Sequence, residues 1–218
     1  VICEMKDKAK MSVLIVAAKN DALQKKCQLA REVNLNLKAV DLECLALANF
    51  FNEFCGDKKK GAVGIIHLGR MVSHINILVD GVPYLSRDIF IGGEDINKKM
   101  VEVLGVEPLE AERLKCEPGA RSKELALLWD HVLSGLAAEI RVSLDYFEAR
   151  INKTVEKIFM TGGSSRLAGL EPYLNHVLGV ETQKLNYADR LILDETLSRD
   201  DFKNHSDLLG VAIGLALR

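Results

Sequence analysis

The chain has 218 residues, 48% of them hydrophobic and 28% charged, with a formal net charge of −2. That balance excludes a disordered polar segment, and 29 basic against 31 acidic residues exclude a strongly basic nucleic-acid binder. No apolar run approaches the ~18 residues needed to cross a bilayer, and the start, Val1 to Lys6, lacks the charged-then-apolar order of a signal peptide. Cys3, Cys27, Cys44, Cys55 and Cys116 form no CxxC pair, which predicts a reducing compartment and idle or buried thiols. The expectation is a cytoplasmic globular α/β protein, or a piece of one.

In chain order, Ser12 to Ala18 is a short β-branched apolar run that reads as a buried strand. Asn20 or Asp21 then caps a helix with Leu23, Cys27, Ala30 and Val33 on one stripe. Leu37 to Leu42 reads as a second strand and Cys44 to Phe54 as a helix, so the opening follows the grammar of an α/β fold. Asp41 and Glu43 between them are placed to cap that helix and meet its dipole. The helix and its approach carry Leu42, Leu45, Leu47, Phe50, Phe51 and Phe54, more apolar surface than one buried face needs. Self-association or a bound peptide around residues 42–54 is the expectation. Gly56 to Gly61, with its lysine triplet, is a polar linker and a domain boundary near residue 60.

Beyond it, Ala62 to Leu68, His74 to Val79 and Val82 to Phe90 read as three strands, the last two joined by an Asp80-Gly81 hairpin. Gly92-Gly93-Glu94-Asp95 opens a helix to about Leu104, and a short helix over Glu107 to Lys115 ends at Pro118-Gly119. A long helix spans Ser122 to Arg150, with Leu125, Trp129, Val132, Leu136, Ile140, Leu144 and Phe147 on one face. Val155 to Met160 is a strand that runs through Thr161-Gly162-Gly163-Ser164-Ser165 into a helix over Gly169 to Leu178. Val180 to Leu185 is a last strand and Ser206 to Leu217 a closing helix of small residues.

Three places offer binding chemistry. At Gly162, Gly163 and Ser164, glycines after a buried strand let a ligand approach the backbone, and the following helix offers free N–H groups; the same glycines also serve turn geometry alone. Gly69 and Ser73 flank a hairpin that could touch a phosphate, or Gly69 simply makes the turn. Gly92 and Gly93 either line a site or form a tight helix entry. His67 has no second ligand at metal spacing, and no nucleophile elbow, P-loop or Rossmann fingerprint is present, so no metal site and no catalytic residue is assigned. Glu139 and Arg141 sit on the long helix and read as a solvated face.

The order of these parts resembles the actin-like (ribonuclease H-like) ATPase fold, a mixed sheet with flanking helices. Within it the chain is similar to the PilM family of type IV pilus assembly. The resemblance rests on VLIVAAKNDALQKKCQLAREVNLNLKAVDLECLALANFF with Asp41 and Glu43, on INILVDGVPYLSRDIFIGGEDINKKM, on AAEIRVSLDYF, on IFMTGGSSRLAGLEPYL and on the closing GVAIGLALR. It implies that residues 1–60 are part of an incomplete first domain. Residues 61–218 would be the second domain, with a helical insertion at about 95–151. It also implies that Gly162, Gly163 and Ser164 face the adenosine end of a nucleotide, where Glu139 and Arg141 of the long helix would also stand. Gly69, Ser73, Gly92 and Gly93 would face its phosphates.

Two departures weaken that nucleotide site. The family's first strand and turn, whose Asp and Gly touch phosphate, have no counterpart, and the second hairpin reads His67-Leu68-Gly69-Arg70-Met71-Val72-Ser73. His67 stands where a carboxylate would hold hydrated Mg2+, and Arg70, Met71 and Val72 replace small residues. The resemblance therefore implies a non-enzymatic scaffold with at most weak ATP binding. In the family, the cytoplasmic tail of the inner-membrane protein PilN docks in a groove of the first domain, here carried by Val13 to Phe54. Membrane association would come only through that partner, and no nucleic acid is involved. The alternatives are an actin-like ATPase and an FtsA-like filament former.

Overall fold

Alternation along one strand fixes the centre of the molecule. In Ala62–Leu68, Ile66 and Leu68 are buried on one side and Val63 and Ile65 on the other, so this strand needs cover on both faces. The computed structural model describes residues 14–55 and 61–218. It places this strand, β1, in the middle of a five-stranded sheet completed by β2 (Ser73–Val79), β3 (Val82–Ile89), β4 (Val155–Thr161) and β5 (Glu181–Lys184), in the order β3-β2-β1-β4-β5. The β1–β2 and β2–β3 pairs are antiparallel, and the β1–β4 and β4–β5 pairs are parallel. The Asp80-Gly81 turn forms as the sequence predicts, with φ of 51° and 81°, the left-handed pair a two-residue hairpin requires.

In chain order the helices are α1 (Asn20–Glu32), α2 (Glu43–Phe54), α3 (Gly93–Leu104), α4 (Pro108–Cys116), α5 (Ser122–Ile151), α6 (Leu170–Leu178), α7 (Arg199–His205) and α8 (Gly210–Ala216), of which α1 buries only Ala30. One face of the sheet is covered by α5, whose Leu125, Trp129, Leu136, Ile140, Leu144 and Phe147 are buried with Ile66, Ile77 and Ile158. The other face takes α2, whose Phe50 and Phe51 pack with Phe159, Leu185 and Tyr187. Against α2 lies α8, at unusually close range. A Cβ on Gly214 would sit 2.0 Å from the carbonyl oxygen of Ala46, so only glycine allows this approach.

The fold is the mixed α/β sheet with flanking helices that the sequence predicts, with differences at the start of the chain. Leu14–Ala18 and Leu37–Leu42 form no strand. They pair with neither edge of the sheet, and without a partner strand an apolar β-branched run has nothing to hold it in a ladder. Ser12 and Val13 of the first run, and Gly56–Lys60 of the linker, lie outside the described residues. Of the side chains expected to form an apolar surplus around α2, Leu47, Phe50 and Phe51 are buried, Leu45 and Phe54 are half-buried, and Leu42 is exposed. Exposed apolar side chains gather upstream, at Leu14, Ile15, Val16, Leu35, Leu37 and Val40. Asp41 makes no side-chain cap on α2. Its carboxylate pairs with Arg218 at 2.7 Å, while Glu43 reaches His74 at 3.1 Å.

Candidate functional site

The carboxyl ends of the parallel strands β1 and β4 open on one side of the sheet, the usual place for a ligand in an α/β fold. Three turns meet there: the β1–β2 turn from Gly69, the entry to α3 at Gly92-Gly93, and the 3-10 turn Gly163–Arg166 after β4. Together with α4 they bound a cleft of about 710 Å³. Gly69, Gly93, Gly163 and Ser164 line it, as does His67. Ser73 and Gly92 lie behind it in a small apolar recess. Gly162 sits beneath, buried, at φ 92°, where a Cβ would strike the Leu68 backbone at 2.4 Å; its N–H donates to Asp207 O at 2.8 Å. The sequence therefore brings its glycine and serine candidates to one junction.

Their polar groups face one another across that junction. Ser164 Oγ donates to Gly69 O at 2.9 Å, and the same carbonyl accepts the Gly93 N–H at 3.0 Å. Ser73 Oγ donates to Ile91 O at 2.7 Å. Gly92 N–H donates to Asp95 Oδ2 at 2.9 Å, closing the first turn of α3. A Cβ on Gly93 would lie 2.2 Å from Ser164 Oγ, and one on Gly92 would lie 2.4 Å from Arg70 O. Gly92 is thus pressed against the backbone of the β1–β2 turn, and Gly93 against the Ser164 side chain. Arg70 lines the cleft as well, paired there with Glu94 at 3.0 Å.

Charged side chains line the cleft from several elements: Arg70 of the β1–β2 turn, Glu94 of α3, Arg166 after β4, and Glu112 and Lys115 of α4, a pair that was not legible in sequence. Lys115 is buried, with Nζ 2.8 Å from Glu112 Oε2 and 3.2 Å from Gly93 O. Burial pushes the Glu112 carboxyl up, but hydrogen bonds from Asn97 and Lys115 outweigh it and hold the group below its ordinary value. His67 is half-buried, stacked on His74 with ring centroids 6.1 Å apart, and its buried Nδ1 has no partner among the described residues. Desolvation, with His74 adding to it, pushes its pKa below the ordinary histidine value. Among the described residues no three His, Cys, Asp or Glu side chains gather as a metal site would need.

Glu139 and Arg141 lie away from the cleft and are not a merely solvated face. Glu139 pairs with Arg87 of β3, and Arg141 donates to the Val177 and Leu178 carbonyls at the end of α6. They tie α5 to the sheet and to α6. No helix among the described residues is long and apolar enough to cross a membrane.

The profile of the family "Type IV pilus assembly protein PilM" matches residues 1–218. No curated protein matches by sequence. Among solved structures, a PilM–PilN type IV pilus biogenesis complex superposes at TM-score 0.81 and 22% identity, covering 92% of this chain and 58% of that one. The ethanolamine utilization protein EutJ of Carboxydothermus hydrogenoformans gives 0.68 at 16% identity, covering 92% and 62%. ADP-bound MreB5 of Spiroplasma citri gives 0.65 at 15%, covering 92% and 65%. At these identities the likeness is one of fold, and the chain spans less than two thirds of each neighbour's length.

Proposed function

This chain belongs to the PilM family of type IV pilus assembly proteins, and from that membership we propose that it acts as a cytoplasmic scaffold without nucleotide turnover. Its segment Leu14–Phe54 would grip the cytoplasmic tail of an inner-membrane PilN-like protein and so hold the chain at the membrane. The observation that carries this reading is the open apolar stretch between Leu14 and Leu42, with Ile15 83% exposed. An unpartnered apolar surface of this kind is what an extended tail covers, by apolar contact and main-chain hydrogen bonds. The solved neighbour at TM-score 0.81 is itself a PilM with PilN. Calorimetry with a synthetic PilN-like tail tests it: Ile15→Asp and Leu35→Asp should each weaken binding at least about tenfold. Both side chains are exposed, so loss of folding would not explain the loss. A tail that does not bind the full-length chain overturns the reading.

The second half of the proposal concerns nucleotide. The cleft is roomy enough for a small ligand, which favours the ATP-binding alternative. What weighs against a magnesium triphosphate is how the groups at its phosphate end are already engaged. The Ser73 and Ser164 hydroxyls and the Gly69 carbonyl are committed to internal hydrogen bonds, and Arg70 is committed to Glu94. A neutral imidazole at His67 also cannot supply the carboxylate charge that a hard, hydrated cation favours. We expect no magnesium-dependent hydrolysis, and ATP binding no tighter than roughly millimolar, about 4 kcal/mol. A micromolar constant abolished by a bulky residue at Gly163 overturns this.

A further inference from the structure

A second groove, of about 770 Å³, lies between the N-terminal end of α2, the tip of the β1–β2 turn and the outer strand β3. Its walls are apolar and open: Phe90 is 80% exposed and Met71 69%, with Leu42 beside them. Its floor is His74, clamped between two carboxylates. Nδ1 lies 2.7 Å from Asp88 Oδ1 and Nε2 lies 3.1 Å from Glu43 Oε2. One imidazole carries at most one positive charge, so in every protonation state of the ring the two ionised carboxylates leave a negative charge unbalanced. Both carboxylate side chains are 60% exposed, and each spends only one named oxygen on the ring. Arg70 also lines the groove, but its guanidinium is paired with Glu94, so that pair adds no net charge to offset the surplus.

Among the described residues β3 has a neighbouring strand on one side only, so its outer edge presents backbone groups that no strand pairs. Ser86 and Asp88 of β3, and Phe90 just beyond its end, line the groove in alternation. An exposed edge, apolar walls and a surplus negative charge together select an extended segment carrying a cation. Arginine suits it better than lysine, since a guanidinium bonds a carboxylate with two donors and stacks on an open aromatic face such as Phe90.

We propose that this groove is a docking site for an arginine-bearing extended segment, and that the segment belongs to the cytoplasmic tail invoked above. The inference rests on that reading, because membrane-proximal cytoplasmic tails carry an excess of Lys and Arg. It adds a second, electrostatic contact to the apolar one at Leu14–Leu42.

The test uses the full-length chain and fluorescein-labelled peptides Ala-Leu-X-Leu-Val-Ala, with X as Arg, Lys or Gln. The Arg peptide should bind at least about fivefold more tightly than the Gln peptide and weaken as salt rises. Phe90→Ser and Asp88→Asn should each lower its affinity by about fivefold or more. Phe90 is exposed, so that variant stays folded. Equal affinity for the three peptides, no binding of any, or indifference to Phe90→Ser overturns the inference. A PilN-like tail that binds but ignores Phe90→Ser and Asp88→Asn sinks the groove and spares the scaffold reading. Phe90-dependent binding of the Arg peptide, with no binding of the tail, does the opposite.

Discussion

Two β-branched apolar runs in this chain have opposite fates. Ile65, in the run that becomes β1, is 1% exposed, whereas Ile15, in a run of similar character, is 83% exposed. Composition does not separate them. β1 has β2 on one side, β4 on the other, and helices over both faces, while among the described residues Leu14–Ala18 has no strand beside it. A strand is made by its neighbours, and local propensity only permits it. The same difference separates a region whose apolar side chains are spent on stability from one whose apolar side chains stay exposed.

The sharpest way to break that contrast is to truncate one side chain from each region. Phe51 is fully buried and rests on Phe159, with ring centroids 5.1 Å apart, so Phe51→Ala should cost about 3–5 kcal/mol in urea unfolding. Ile15→Ala should stay within about 0.5 kcal/mol of the parent. A cost above about 1 kcal/mol at Ile15 would show that the Leu14–Ala18 run is packed in solution after all.

What was legible in the sequence follows the same division. The long helix, read as Ser122 to Arg150, is observed over Ser122–Ile151, because a sustained helical stripe needs no knowledge of its partner. The Asp80-Gly81 hairpin was readable because its turn chemistry is local. The glycine and serine candidates come to one junction, where Gly69, Gly93, Gly163 and Ser164 line the cleft and Ser73, Gly92 and Gly162 lie behind or beneath it. Their mutual hydrogen bonds were not readable, since Ser164 and Gly69 are far apart in the chain. For the same reason sequence reasoning missed Lys115 beside Gly93, and the Arg87–Glu139 and Arg141–Leu178 ties. Helix α7 was missed because its short polar sequence, RDDFKNH, shows no apolar stripe.

A smaller effect sharpens the comparison at the cleft itself. If Gly93 is glycine because two loops touch, Gly93→Ala should cost roughly 1–3 kcal/mol, as overpacking does. Ser164→Ala alone should cost about 1 kcal/mol, from the lost hydrogen bond to Gly69. In the double variant the colliding Oγ, 2.2 Å from the new Cβ, is gone. The two costs should then fall short of adding, a coupling measurable by a double-mutant cycle. Simple additivity would mean that the loops part easily and that the junction behaves like open surface.

The smallest effect concerns pH, and it belongs to the packed region because Leu14–Leu42 contains no histidine. His67 sits at the end of β1, where burial is the first cause depressing its pKa and His74 the second, with Glu43 working the other way. The unfolded chain protonates this ring near its ordinary 6.5, while the folded chain resists. Below about pH 6.5 the unfolded state therefore binds more protons, and stability falls with pH until the folded ring also titrates. Above that value both states are neutral and His67 contributes no slope. His67→Gln should flatten the dependence of unfolding free energy between about pH 7.5 and about pH 5.5, with His74→Gln as the control for the neighbouring ring. If the slope survives His67→Gln, the ring is wetter than its packing implies. The tip of β1 would then belong with the open surface, and the hairpin that stands where phosphate would sit would be free to admit a ligand.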